Sequence, residues 1–306
     1  MIALQTELNG VRYVGHGLAQ RDPGDENGRK WNCPVAVCLT LLISGCTDLS
    51  AVRDFAQTSS SITASEPVLL GWPHIYETAR ILAASSQLRA RAPDLQLMLK
   101  EEAQAANADV PLAVQAGKAL GLYMNVLAAL ADDKLPDVSD QASSISSSLN
   151  ALGAVNSNDH DATAALLKLI GISLDAWRQV AISDLVRGAN NDVQTIAIFL
   201  ARTANAVQKA DKFAMSVIDQ YWEATGAALT DPGVRALLLR AERQDDESYA
   251  RQIAQAQAAQ AAFLQIAKAH AMLAQHAGSL SSDEVRNALS NDMPVLLDAL
   301  RTFERN

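Results

Sequence analysis

Beyond Cys46 the chain has no cysteine: Cys33, Cys38 and Cys46 lie within 14 positions, and the remaining 260 residues contain none. A disulfide scaffold is thereby excluded for the body. Gaps of four and seven residues, with no histidine cluster nearby, do not form a zinc pattern. Aromatic residues make up only 5%, and β-branched residues seldom alternate with polar ones, so strand signals are weak. No apolar run reaches the ~20 residues that a membrane-spanning helix needs. Runs of Lys and Arg are missing too, and the net charge of −9 argues against nucleic-acid binding, which takes a basic face. There is no Gly-rich phosphate loop, no HExxH and no Gly-x-Ser-x-Gly nucleophile elbow. The motifs therefore assign no catalytic residue and no cofactor.

What is abundant is alanine, as in Gln255-Ala256-Gln257-Ala258-Ala259-Gln260-Ala261-Ala262-Phe263. Alanine loses no side-chain entropy in a helix, and the chain reads as all-α. Helix-sized blocks alternate with short breakers. Asp48 offers a cap before the stripe Val52, Phe55, Ser59 and Ile62. Residues 70–91 read as the next helix, and residues 95–106 as another. Asp109-Val110-Pro111 restarts the chain into a helix carrying Leu120, Tyr123, Leu127 and Leu130. Residues 137–152 form a serine-rich helix held by Ile145, Leu149 and Leu152. Residues 162–186 follow, closed by Gly188-Ala189-Asn190-Asn191.

Two long seams come next. Val193, Ile196, Leu200, Ala204, Val207, Ala210, Ala214, Val217, Tyr221 and Ala224 recur at steps of three and four over residues 192–229. Asp231-Pro232 breaks that helix. Tyr249, Ile253, Ala256, Ala259, Phe263, Ile266, His270, Leu273 and Ala277 continue the pattern over residues 233–278. Each would extend about 55–70 Å. A last helix opens at Ser281-Ser282-Asp283-Glu284 and carries Val285, Leu289, Val295, Leu296 and Leu300. Short connections make neighbours antiparallel, which predicts an elongated antiparallel bundle of long helices.

Few residues invite a chemical reading. His270 falls on an apolar seam, as expected of a hydrogen-bonded core histidine. His276 is on another face, so the two form no metal pair. His160, between Asp159 and Asp161, reads as part of an acidic helix cap. In Trp72-Pro73-His74-Ile75-Tyr76-Glu77, His74 and Glu77 share a helical face and are the weak metal-site candidates. A structural helix start explains that stretch better, and no metal is assigned. Glu242 with Asp245, Asp246 and Glu247 lacks calcium-loop spacing and reads as a solvated face.

The N-terminal part is different. Arg29-Lys30 precede an apolar stretch from Pro34 to Ile43, which ends in Ile43-Ser44-Gly45-Cys46. A basic pair, an apolar stretch of ~7–15 residues and small residues at its end match a secretory signal. These residues resemble the bacterial lipoprotein signal, whose lipobox joins an aliphatic residue and two small ones to a cysteine. The resemblance implies that the Cys46 thiol receives diacylglycerol and that cleavage before it leaves Cys46 as the acylated first residue. Thr47, in place of Asp, resembles lipoproteins that proceed to the outer membrane. The body resembles uncharacterised all-helical lipoproteins, which brings no activity with it.

The expected organisation is residues 1–28 as an unstructured segment or misassigned start, 29–45 as the signal, and 46–306 as one helical-bundle domain. Asp22, Asp25 and Glu26 put negative charge where such a signal is usually positive. Removing residues 1–45 takes four basic and four acidic residues, so the mature chain keeps −9. The expected function is a lipid-anchored structural or interaction module on the periplasmic face of the outer membrane. Its partners would be membrane lipid, through acylated Cys46, and a protein on the helical surface. Two alternatives are a membrane-active, toxin-like helical protein and a cytosolic helical protein without a signal. The toxin-like reading needs an apolar hairpin, and its best stretch, residues 162–182, is interrupted by Lys168, Asp175 and Arg178.

Overall fold

A computed structural model describes residues 48–64, 71–85, 88, 94–134, 139–152, 160–175 and 182–304, apart from the side chains of 149–152, 160, 174 and 175. They belong to one compact unit, Cys46–Asn306. The signal-like segment, including Cys46, lies outside the described residues. Among those residues there are eight helices and no strand: α1 (Ser50–Thr63), α2 (Trp72–Ala83), α3 (Leu95–Ala131), α4 (Ser139–Leu152), α5 (His160–Asp175), α6 (Ile182–Ala228), α7 (Pro232–Gln275) and α8 (Asp283–Glu304). The fold is an all-α helical bundle.

Its spine is the α6/α7 hairpin. Asp231 turns the chain here: its Oδ1 accepts the Gly233 and Val234 N–H groups at 2.7 and 2.9 Å, and Pro232 opens α7. Ala197, Ala204, Ala210 and Ala214 on α6, with Ala256, Ala259, Ala262 and Ala269 on α7, are buried. Small side chains on both seams let the two helices pack closely over this stretch, and the helices themselves extend about 65–70 Å. At the loop end the hairpin leaves Val234, Leu237 and Leu239 exposed.

The other helices build outward from this spine. α3 packs against α1, α2, α5 and α6, and its Leu120, Tyr123, Met124 and Leu127 are fully buried. α8 closes the opposite side against α7 and α1. Ser282 Oγ accepts the Val285 N–H at 3.3 Å at the start of α8, as the serine cluster predicts. The α1 stripe is buried as expected, and Asp48 accepts the Ser50 N–H at 3.0 Å. At Gly121 the end of α1 packs closely on α3. A Cβ there would stand 2.5 Å from Thr63 Oγ1.

Three helix boundaries differ from the sequence reading. Pro111 does not restart a helix but sits inside α3, which runs unbroken for 37 residues. Proline removes one hydrogen bond and crowds the preceding turn, at about 3 kcal/mol. Buried Ala106, Val110, Leu112 and Ala113 on both sides of it offset that cost through packing. Gly188-Ala189-Asn190-Asn191 does not close a helix either, because α6 begins at Ile182 and continues through it. Leu185, Val186, Ala189 and Val193 bury one face across those positions, and Asn190 has a tertiary use described below. The second helix ends at Ala83, where Ala84 and Ser85 leave the helical path. Just beyond that end Ser85 Oγ accepts the Leu88 N–H at 3.4 Å. Val295, placed on the apolar stripe of α8, is 39% exposed, so Leu289 and Leu296 carry that contact.

Candidate functional site

Two polar clusters interrupt the apolar interior, and both lie on α6 and α7. The first joins three helices. Tyr123 of α3 and His270 of α7 meet at 2.7 Å through the phenol oxygen and Nε2, and His270 Nδ1 lies 3.2 Å from Asn190 Oδ1 of α6. The amide oxygen only accepts, so Nδ1 carries the proton and Nε2 accepts from the tyrosine hydroxyl. Gln194, one turn on, donates to the Ala267 carbonyl at 2.6 Å. Burial holds the His270 pKa down at about 3, so the ring is neutral. The two rings meet edge to face at 5.4 Å. As the sequence suggests, His270 is a hydrogen-bonded core residue.

The second cluster is open. A cavity of about 270 Å³ lies between α2, α6 and α7. Its wall includes Ile75 and Thr78 from α2, Val207 and Asp211 from α6, and Tyr249 and Gln252 from α7. Asp211 is 0% exposed, yet neither carboxylate oxygen has a hydrogen-bond partner. Native interiors rarely leave such a group bare, since an unsatisfied buried polar group costs about 1–3 kcal/mol and a charged one more. Burial pushes the Asp211 pKa up to about 7. Tyr249 is pushed up to about 12 by burial, with the negative charges of Asp211 and Asp245 adding to it. Tyr76 is raised as well, by burial first and then by Glu102. The charges acting on these two tyrosines are all negative, and among the described residues no Lys or Arg lines the cavity.

A larger groove of about 490 Å³ lies between α1, α3 and α4, walled by Thr63, Gly121, Leu122 and Ile145 among others. The Thr63 hydroxyl bonds to the Ser60 carbonyl at 2.7 Å, and the charged wall residues Lys118 and Asp140 are exposed, so among the described residues no buried charge faces this groove. Chemistry therefore points to the Asp211 cavity.

The sequence candidates fall variously around it. His74 lines the cavity and is itself exposed. Glu77 does not join it but pairs with Arg80 at 2.5 Å, which holds its carboxyl below the usual range. Among the described residues no group of three His, Cys, Asp or Glu side chains could hold a metal. His276 lies 3.8 Å from Glu284, and the His160 side chain is outside the described residues. Asp245, read as part of a solvated face, accepts the Trp222 indole N–H at 3.2 Å and ties α7 to α6.

Asp211 itself was missed by sequence reasoning. A signal was present: Ala204, Val207, Asp211 and Ala214 follow each other at steps of three and four, which places a carboxylate on the buried stripe. Among the described residues no helix is long and apolar enough to cross a membrane. No protein-family model, curated protein or solved structure matches the chain.

Proposed function

We propose that the protein is a bacterial lipoprotein whose helical bundle works outside the cytoplasm as a structural or interaction module. The observation that carries this reading is the order of residues around Ile43-Ser44-Gly45-Cys46. A basic pair, a short apolar stretch and an aliphatic-small-small-cysteine run stand directly before the folded body. The geometry of the body is compatible with a short tether at that point. Its helices begin at Ser50, and Asp48 is tied back to Arg286 of α8 at 3.4 Å. Diacylglycerol and an amide-linked chain on Cys46 would anchor it stably, because each buried CH₂ adds about 0.8 kcal/mol and several chains act together. A protein partner would engage the helical surface, where the exposed Val234, Leu237 and Leu239 at the hairpin tip offer apolar area.

Labelling of growing cells with a radioactive fatty acid tests the anchor. The wild-type chain should take up label and fractionate with membranes, and Cys46→Ala should do neither. An unlabelled, soluble wild-type chain overturns the proposal.

A further inference from the structure

The Asp211 cavity combines a bare acceptor with space beside it. The carboxylate is buried, neither oxygen is bonded, and the group lines an opening of about 270 Å³. A structural carboxylate in this position would carry a Lys or Arg partner, as Asp192 does with Lys168 at 2.9 Å. Among the described residues no cationic side chain lines this cavity, and the charges that act on its neighbours Tyr249 and Tyr76 are those of Asp211, Asp245 and Glu102, all negative. Such a field attracts a cation. The remaining wall argues against a bare metal ion. One carboxylate with neutral amide and hydroxyl groups is too poor in anionic oxygens for a tightly held divalent ion, and no three-ligand cluster exists among the described residues.

The same wall suits an organic cation. The Tyr249 ring presents a π-system to a positive group. The Thr78 hydroxyl and the Gln252 amide oxygen can accept N–H hydrogen bonds that the carboxylate leaves over. Ile75 and Val207 offer apolar contact for a short carbon stem. The volume falls just below the ~300–1,000 Å³ of pockets for drug-sized ligands, so the ligand is small.

We propose that this cavity binds a small organic monocation, an amine whose ammonium group is received by the Asp211 carboxylate. The site requires no acylation, so its fate is separate from that of the anchor at Cys46. Binding selects the ionised carboxylate. Affinity therefore rises with pH while Asp211 loses its proton, by about 100-fold between pH 5 and pH 8, and levels off above about pH 7. The titratable groups beside Asp211 are His74 on the cavity wall and the Tyr76 and Tyr249 phenols, which feel its charge; Glu102 on α3 and Asp245 on α7 act on those two tyrosines in turn.

The test is thermal unfolding and titration calorimetry of the full chain with n-butylamine, ethanolamine and choline. Controls are n-butanol, butyrate, and magnesium chloride at matched ionic strength. At pH 8 at least one amine should raise Tm saturably, the controls should not, and Asp211→Asn should abolish the effect. In the wild-type chain, calorimetry at pH 6 in two buffers of different ionisation enthalpy should show proton release on binding. This second measurement needs no variant. The proposal fails if no amine shifts Tm at pH 8, if Asp211→Asn responds like wild type, or if no proton is released. A response to magnesium alone that Asp211→Asn removes would make the cavity a metal site and overturn it as well.

Discussion

The two polar clusters on the α6/α7 hairpin are 21 residues apart on each helix, Asn190 to Asp211 and Tyr249 to His270, or about 30 Å. Both interrupt the same kind of alanine- and valine-rich seam, and both bury a titratable group completely. They differ in whether the protein supplies the partners. At His270 a tyrosine hydroxyl serves one ring nitrogen and an asparagine oxygen the other. At Asp211 both oxygens are bare. A polar network whose members satisfy each other ties three helices in one register and offers nothing to a ligand. A buried carboxylate without partners weakens the fold, and a bound cation would return what the protein withholds. The contrast separates architecture from a binding site more sharply than cavity size, since the larger groove beside Gly121 has no buried charge facing it.

Breaking the satisfied cluster should have the largest effect. His270→Ala removes a buried ring and leaves the Tyr123 hydroxyl and the Asn190 amide without their partner. The expected loss is about 3–4 kcal/mol in urea denaturation at pH 7.5. The variant should also change the acid limb. Folded His270 titrates at about 3 and the unfolded residue near 6.5, so the unfolded chain takes up the proton first. Stability tied to this residue is complete above 6.5 and declines as pH falls toward 3. In His270→Ala that share of the decline should vanish. A loss under about 1 kcal/mol, or an unchanged acid limb, would mean that the network does not act as a unit.

At the other cluster the sign reverses. Asp211 is raised from 3.8 to about 7 in the folded state, so here the folded chain holds the proton more tightly. Raising the pH through that interval removes stability, and above about 7 the whole penalty is present. Asp211→Asn keeps the shape and drops the charge. It should stabilise the protein by about 1–3 kcal/mol at pH 8 and by almost nothing at pH 4. The check is a pair of urea titrations at each pH without amines present. Destabilisation at pH 8 would show that the carboxylate has a partner, and the comparison would collapse.

Sequence alone reached one cluster and passed over the other, for a physical reason. The all-α class was legible because alanine content and steps of three and four repeat over long stretches, and His270 stood out as a histidine on such a stripe. Asp211 sits on an equally clear stripe, but an aspartate between Ala210 and Lys212 looks like ordinary surface charge until the neighbouring helices are in place. Asn190 was hidden in the opposite way. Gly188-Ala189-Asn190-Asn191 carries strong local turn signals, and only the tertiary contact with His270 turns the asparagine into a core acceptor. Pro111 makes the same point, since packing of flanking residues overrides a local breaker. Local preference is worth at most a few kcal/mol, and long buried faces exceed it.

A second buried carboxylate allows the smallest and finest test. Asp192 lies on α6 two residues after Asn190 and is 7% exposed. It differs from Asp211 in having the Lys168 ammonium of α5 at 2.9 Å from Oδ2, a pairing of charges rather than an aligned hydrogen bond. Lys168→Met keeps an apolar stem of similar length and removes the ammonium group. Asp192 would then stand where Asp211 stands now, buried and without a counter-charge. Because the Lys168 side chain is 60% exposed, solvent already screens the pair. The expected loss is accordingly modest, about 1 kcal/mol at pH 8. A double-mutant cycle isolates its origin: in an Asp192→Asn background, Lys168→Met should cost almost nothing. An equal loss in both backgrounds would assign the effect to the lysine stem. Charge pairing would then not be what distinguishes a structural carboxylate from the one in the cavity.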